Sequence, residues 1–201
     1  MSKVLYIKAN AKADGESRTF KIADKFIEAY KKKNSDDEIV ELDLYDAKIP
    51  FLPKGGLDEM RQAVIRKDRN HPVLKFAYQF LEADKYVIAE PLWNLGIPAI
   101  LKAYVDCIAM SGVTFTYTEQ GPMGLCQNKK AVNIISRGGD YSFEAMDTLE
   151  MGDKYLRNIF RFLGVSDYAT IATDRLDIVT EDTEALLNSA YEKAVELAES
   201  F

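Results

Sequence analysis

"VIAEPLWNLGIPAILKAYVD", residues 87–106, begins as an apolar β-strand and ends as an amphipathic helix. Between them lies Pro-Leu-Trp-Asn-Leu-Gly (91–96), which carries the chain's only tryptophan, Trp93, beside Asn94. A strand-to-helix turn needs a cap and a conformationally free residue, and a large ring adds nothing to either. Two readings follow: Trp93 stiffens the turn by packing on its own core, or the loop faces a ligand. In the helix, Ile97, Leu101, Tyr104 and Ile108 share one face, and Pro98 is tolerated in the first turn.

The same strand-then-helix pattern extends in both directions. Apolar runs at 3–9, 39–45, 130–136 and 168–173 join 85–91 as five strands suited to a buried parallel sheet. Helices are expected where Phe20, Ala23, Phe26 or Ile27, and Tyr30 recur at helical spacing, at 73–83, at 143–163 as one long helix, and at 181–201. Residues 46–72, with Pro50, Pro53, Gly55, Gly56 and Pro72, read as a loop with a short helix around Leu57–Arg69. "GVTFTYTEQGPMGLCQ" (112–127) reads as an irregular hairpin. Five strands alternating with helices predict an α/β fold: a doubly wound parallel five-stranded sheet, helices on both faces, in a single domain over 1–201.

The chain has 201 residues, 47% of them hydrophobic and 29% charged, with a formal net charge of −6. That acidity gives no general attraction for nucleic acid or anionic membranes. Cys107 and Cys126 have no metal-ligand spacing and are expected as free buried thiols. No signal-peptide core or membrane-length apolar run is apparent, so a cytoplasmic location is expected. The lone His71 precedes a proline and is expected at the surface; without a second histidine no metal site or relay is predicted. There is no G-x-S-x-G elbow, and the acidic residues read as solvent-facing. Any chemistry is therefore expected from a cofactor.

In open parallel sheets, ligands collect at the carboxyl ends of the strands. Three loops there have unusual composition: 10–19, 91–97 and 136–142. Ser17-Arg18-Thr19 sits at a helix start, where hydroxyls, a guanidinium and free N–H groups suit a phosphate; Ser17 as a plain N-cap is the alternative. Ser136-Arg137-Gly138-Gly139 follows a strand directly, and paired glycines there permit close approach of a ligand or simply make a tight turn. GxGxxG and GxxxxGK[ST] are both missing, which disfavours a Rossmann dinucleotide site and a Walker-type site.

With "KVLYIKAN", "PLWNLGIPAILKAYVD", "GVTFTYTEQGPMGL" and "SRGG" in this order, the chain resembles the flavodoxin-like, FMN-dependent NAD(P)H azoreductases and quinone oxidoreductases along nearly its whole length. The resemblance implies a sheet of order 2-1-3-4-5 and a bound FMN at its switch point. It also implies NADH or NADPH as co-substrate, a quinone or azo compound as small-molecule acceptor, a ping-pong hydride transfer, and a homodimer. Carried over by position, Ser17, Arg18 and Thr19 would hold the phosphate, with Asn10 replacing a serine common in relatives. Pro91, Leu92, Trp93, Asn94 and Leu95 would run along the flavin, and Ser136, Gly138 and Gly139 would approach it from the next loop. Tyr117 and Phe162 would border the substrate, Phe162 from a partner subunit. No side chain is expected to be catalytic in its own right, since the chemistry lies on the flavin. A one-electron flavodoxin-like carrier and a non-catalytic flavin-binding protein are the competing expectations.

Overall fold

A computed structural model describes residues 1–13 and 15–201; Asp14, in the first of the three loops, lies outside the described residues. Five parallel strands form the main sheet: β1 (Lys3–Lys8), β2 (Glu38–Asp43), β3 (Lys85–Pro91), β6 (Lys130–Ser136) and β7 (Asp167–Thr173). Their order is β2-β1-β3-β6-β7, so the reversal of strand order falls between β1 and β3. This is the doubly wound arrangement expected from the alternating pattern. The hairpin strands β4 (Phe115–Thr118) and β5 (Gly121–Gly124) form a separate antiparallel pair.

Alternate residues of a strand point to opposite faces, and each face of the sheet has its own core. Leu5 and Ile7 of β1 join Tyr86 and Ile88 of β3 on one side. There they meet α3 (Leu74–Glu82) through Phe76 and Phe80, α4 (Ala99–Ile108) through Leu101 and Tyr104, and α6 (Gly152–Leu163) through Leu156 and Phe160. Val4, Tyr6, Val87, Val132 and Ile134 face the other side, against α1 (Arg18–Lys33) and α7 (Thr183–Ser200). The α1 residues buried there include Phe20, Ala23, Phe26 and Tyr30, the set picked out by helical spacing. On α7, Ala190, Ala194 and Ala198 make a four-residue-spaced ridge of small side chains within the same core.

The stretch 143–163 is not one helix. It divides into α5 (Glu144–Asp147) and α6, because Glu150 turns its carboxylate back on the chain. Its Oε1 accepts from the N–H groups of Gly152 and Asp153, both at 2.9 Å, satisfying donors at the start of α6. The Met151 N–H is drawn off to the Leu95 carbonyl at 2.9 Å. Pro98 also sits one step outside its expected place, as the N-cap of α4 rather than in its first turn.

His71 is not a free surface residue. Its Nδ1 accepts from the N–H groups of Val73 and Leu74 at 3.2 and 3.4 Å, closing the start of α3, and its Nε2 donates to Glu59 at 2.8 Å. The hairpin docks on the end of α6: Cys126 N–H donates to Leu163 O at 2.9 Å. Close contact there requires glycine, since a Cβ on Gly124 would lie 2.2 Å from the Gly164 nitrogen. Both cysteines are free and buried, and burial pushes each thiol up to about 11. No helix among the described residues is long and apolar enough to cross a membrane.

Candidate cofactor cleft

Strands β1, β3, β6 and β7 all end on one side of the sheet, and the loops that follow them line a cleft. Asn10, Arg18, Thr19, Pro91, Leu92, Trp93, Ser136 and Gly138 line it together with Lys12, Arg137, Leu176 and Asp177. Eight residues singled out in the sequence thus converge from three loops, though they lie up to 128 positions apart in the chain.

The first loop is built around Ser17, which is wholly buried. Its Oγ accepts from Phe20 N–H at 3.1 Å as the N-cap of α1, and from Asn10 Nδ2 at 2.9 Å. Asn10 Oδ1 in turn accepts from Lys12 N–H at 3.1 Å. Ser17 therefore stands behind the cleft wall as a cap, and Asn10 ties the strand end to the helix start. Thr19 Oγ1 lies 2.5 Å from Ser136 Oγ, joining the first loop to the third. Arg18 extends one arm of its guanidinium to the Leu176 carbonyl and the other to the Asp177 carboxylate.

The second loop is a tight turn with two residues in the left-handed region, Asn94 at φ 50° and Leu95 at φ 68°. Trp93 and Gly96 exchange both backbone hydrogen bonds across it, at 2.9 and 3.0 Å. Positive φ at both central positions defines a type I′ turn; asparagine suits it, whereas leucine is strained there by about 1–2 kcal/mol. The strained loop is held by the Leu95–Met151 hydrogen bond and by Leu92, whose Cδ1 lies 2.8 Å from where a Cβ on Gly152 would stand. Trp93 is 39% exposed and Leu95 40% exposed, so neither ring nor side chain is core. Asn94 and Leu95 do not line the cleft within this chain, and neither does Gly139.

Beneath the second and third loops lies a polar cluster that the sequence reading missed. Glu90, Asn133, Glu150 and Asp153 are all buried on the α6 side of the sheet. Asn133 Nδ2 donates to Asp153 Oδ1 at 3.0 Å and reaches Glu90 Oε1 at 3.4 Å. Asp153 also accepts from Thr170 Oγ1 at 2.8 Å, the Tyr168 hydroxyl at 3.1 Å and Arg157 at 3.2 Å. Burial pushes the Glu90 carboxyl well above the usual range. Nearby Glu150 and Asp153 reinforce that shift, while the Asn133 hydrogen bond and the Arg137 charge oppose it. The acidic residues are thus not all solvent-facing. Glu90 is hidden by its place in a strand, and Glu150 and Asp153 by the folding of α6 onto the sheet.

Lys12, Leu176 and Asp177 were also missed as cleft residues. The strand-end rule that selected the other three loops applies equally to the segment after β7. Tyr117 and Phe162 lie elsewhere in the chain, on either side of Phe115, with ring centroids 5.6 and 4.8 Å from it. Tyr117 is 70% exposed and borders a separate apolar hollow with Leu57, Met60, Ile65 and Met110. Among the described residues no group of three or more His, Cys, Asp or Glu side chains is placed to hold a metal ion.

The strand order, the cleft at its reversal and the appended hairpin define a class. A family model described as flavodoxin-like fold matches residues 2–198, and the chain belongs to that family. It is 56% identical over 201 residues, the full length of both chains, to the FMN-dependent NADH:quinone oxidoreductase 2 of Clostridium acetobutylicum. Identity is 51%, again over both full lengths, to the FMN-dependent NADH:quinone oxidoreductase of Caldicellulosiruptor saccharolyticus. The crystal structure of an FMN-dependent NADH-azoreductase from Bacillus anthracis, in complex with FMN, superposes with a TM-score of 0.90 at 30% identity, covering 100% of this chain and 99% of that one.

Proposed function

We propose that the protein is an FMN-dependent NADH:quinone oxidoreductase that also accepts azo compounds. The observation that carries this reading is the convergence of four strand-end loops on one cleft that combines cations, hydroxyls and backbone donors with an apolar wall. The relatives named for the same activity match the chain from end to end, which supports it. The lining of the cleft fits FMN in charge and chemistry. Lys12 and Arg18 offer positive charge beside the α1 start for the phosphate. Leu92 and Trp93 offer apolar contact for the ring system.

Bound there, FMN would supply the two-electron chemistry, taking hydride from NADH and passing electrons to the acceptor, in a ping-pong sequence with both substrates using one face. The chain's part is to bind and orient. Arg18 and Thr19 fix the phosphate end, and the strained 93–96 turn sets the height of the Trp93 wall. The backbone at Gly138 would meet the polar edge of the ring, where a preorganised N–H stabilises developing negative charge. The cofactor set is then Asn10, Arg18, Thr19, Pro91, Leu92, Trp93, Ser136 and Gly138 in direct contact, with Ser17, Asn94, Leu95 and Gly139 shaping the loops behind them.

A homodimer completes this reading. Leu57, Ile65 and Tyr117 are 57%, 71% and 70% exposed around one apolar hollow beside the hairpin, a surface that a second copy would cover. Tyr117 and Phe162 would then border the acceptor across that interface. The reading is tested by following NADH oxidation with a soluble quinone after addition of FMN, alongside sedimentation of the same sample. Turnover dependent on FMN, from a dimer, is expected. A protein that binds FMN and leaves NADH unoxidised with every quinone would contradict the reading.

A further inference from the structure

The segment after β7 closes the fourth side of the cleft and is fixed there by its backbone. The N–H groups of Arg175, Leu176 and Asp177 donate to the carbonyls of Gly139, Arg137 and Gly138 at 2.9, 3.2 and 3.0 Å. This short ladder presses Asp177 against Gly138 so closely that a Cβ on Gly138 would lie 2.3 Å from Asp177 Oδ2. From that position the carboxylate pairs with Arg18. It brings an anion into a cleft whose other charged lining residues, Lys12, Arg18 and Arg137, are cations. Arg137 already shares its charge with Asp174 at 3.5 Å.

We propose that Asp177 is a specificity-determining residue: a counter-charge to Arg18 that sets how strongly the cleft prefers a phosphorylated flavin to its dephosphorylated form. The proposal rests on the reading above that Arg18 faces the FMN phosphate. Two observations separate a counter-charge from a mere support for Arg18. The Leu176 carbonyl holds the other arm of the guanidinium, so Arg18 stays oriented without Asp177. The Asp177 side chain is also 67% exposed against 28% for Arg18, a rim position from which it acts chiefly through its charge. A phosphate beside Arg18 meets that carboxylate as a like charge at short range, and the repulsion is only partly screened by solvent.

Fluorescence titration of the full chain with FMN and with riboflavin tests this in wild type, Asp177→Asn and Arg18→Ala. Asparagine keeps the shape of aspartate and removes its charge. The Asp177→Asn variant should bind FMN about three- to tenfold more tightly at low salt, with the gain shrinking as salt rises and riboflavin affinity unchanged. Asp177→Ser, which removes the charge with a smaller side chain, should move the ratio the same way. An FMN-to-riboflavin preference that stays the same or falls in both variants would overturn the counter-charge role. A wild type that binds both flavins equally, with Arg18→Ala altering neither, would instead overturn the phosphate reading and take the proposal with it.

Discussion

The two ends of the parallel sheet are finished in opposite ways. At the amino end, side chains satisfy one another. Tyr30 donates its hydroxyl hydrogen to Asp37 at 2.6 Å and accepts from Lys85 at 2.8 Å, and Lys85 also donates to the Phe201 carbonyl at 2.9 Å. Asp37 and Asp84 take up the N–H groups of Ser2 and Lys3 at 2.6 and 2.8 Å. Towards the carboxyl end, the buried oxygens Glu90 Oε2 and Thr173 Oγ1 and the nitrogen Arg137 Nε have no hydrogen-bond partner among the described residues. The strained Asn94–Leu95 turn is there too. Buried polar groups left without protein partners cost stability, as does backbone strain, and both gather at functional sites. The amino end stabilises the sheet through side chains that satisfy one another, while the carboxyl end, where the cleft opens, carries unsatisfied polar groups and a strained turn.

Arg18→Ala breaks the comparison most severely. Losing a charge-assisted contact of about 1.5–3 kcal/mol should weaken FMN binding by roughly 10- to 100-fold and leave riboflavin binding nearly unchanged, as read by flavin fluorescence. Unfolding by urea should lose about 1–2 kcal/mol with the contacts to the Leu176 carbonyl and the Asp177 carboxylate.

A change in stability alone is expected of Tyr30→Phe. Removing a hydroxyl shared by Asp37 and Lys85 should cost about 1–2 kcal/mol in urea unfolding, without altering NADH oxidation. The Tyr30 hydrogen bond holds the Asp37 carboxyl below its usual range, with the Ser2 N–H adding to it. A depressed carboxylate contributes stability that is present above its unfolded value and lost as pH falls through the folded one. The loss of stability of wild type in acid should therefore be shallower in Tyr30→Phe.

At the carboxyl end the sign reverses. Burial raises the Glu90 carboxyl, so its contribution is full below the ordinary carboxylate range and declines as pH rises from there towards the raised value. One such group gives a slope of at most about 1.4 kcal/mol per pH unit. Glu90→Gln, which copies the protonated acid, should match wild type at low pH and exceed it at alkaline pH. A deficit relative to wild type that grows as pH rises would show Glu90 to be ionised in the fold.

Leu95→Gly sharpens the comparison by the smallest amount. Relief of the left-handed leucine, offset by the greater freedom of an unfolded glycine, should leave a gain in stability below about 1 kcal/mol. NADH oxidation should slow if the strained turn sets the Trp93 wall.

Much of this organisation was legible in the chain because it depends on local periodicity. The face of α1 carrying Phe20, Ala23, Phe26 and Tyr30 follows from helical spacing, and the sheet follows from five apolar runs between helices. Three of the four cleft loops were legible from their composition at strand ends. What stayed hidden depends on tertiary placement. Nothing in the local pattern of Glu150 shows that its carboxylate will turn back and divide 143–163 into two helices. Glu90 looks like any strand-end acid until Asn133 and Asp153 are brought beside it. Asp177 becomes a cleft residue only because three backbone hydrogen bonds lay its segment along Arg137–Gly139.

The most direct test of the central claim is the absorbance of the FMN-loaded protein on anaerobic addition of NADH. The yellow flavin band should bleach within one turnover and return on addition of a quinone. A band that stays unchanged with NADH, on a protein that holds FMN tightly, would contradict it.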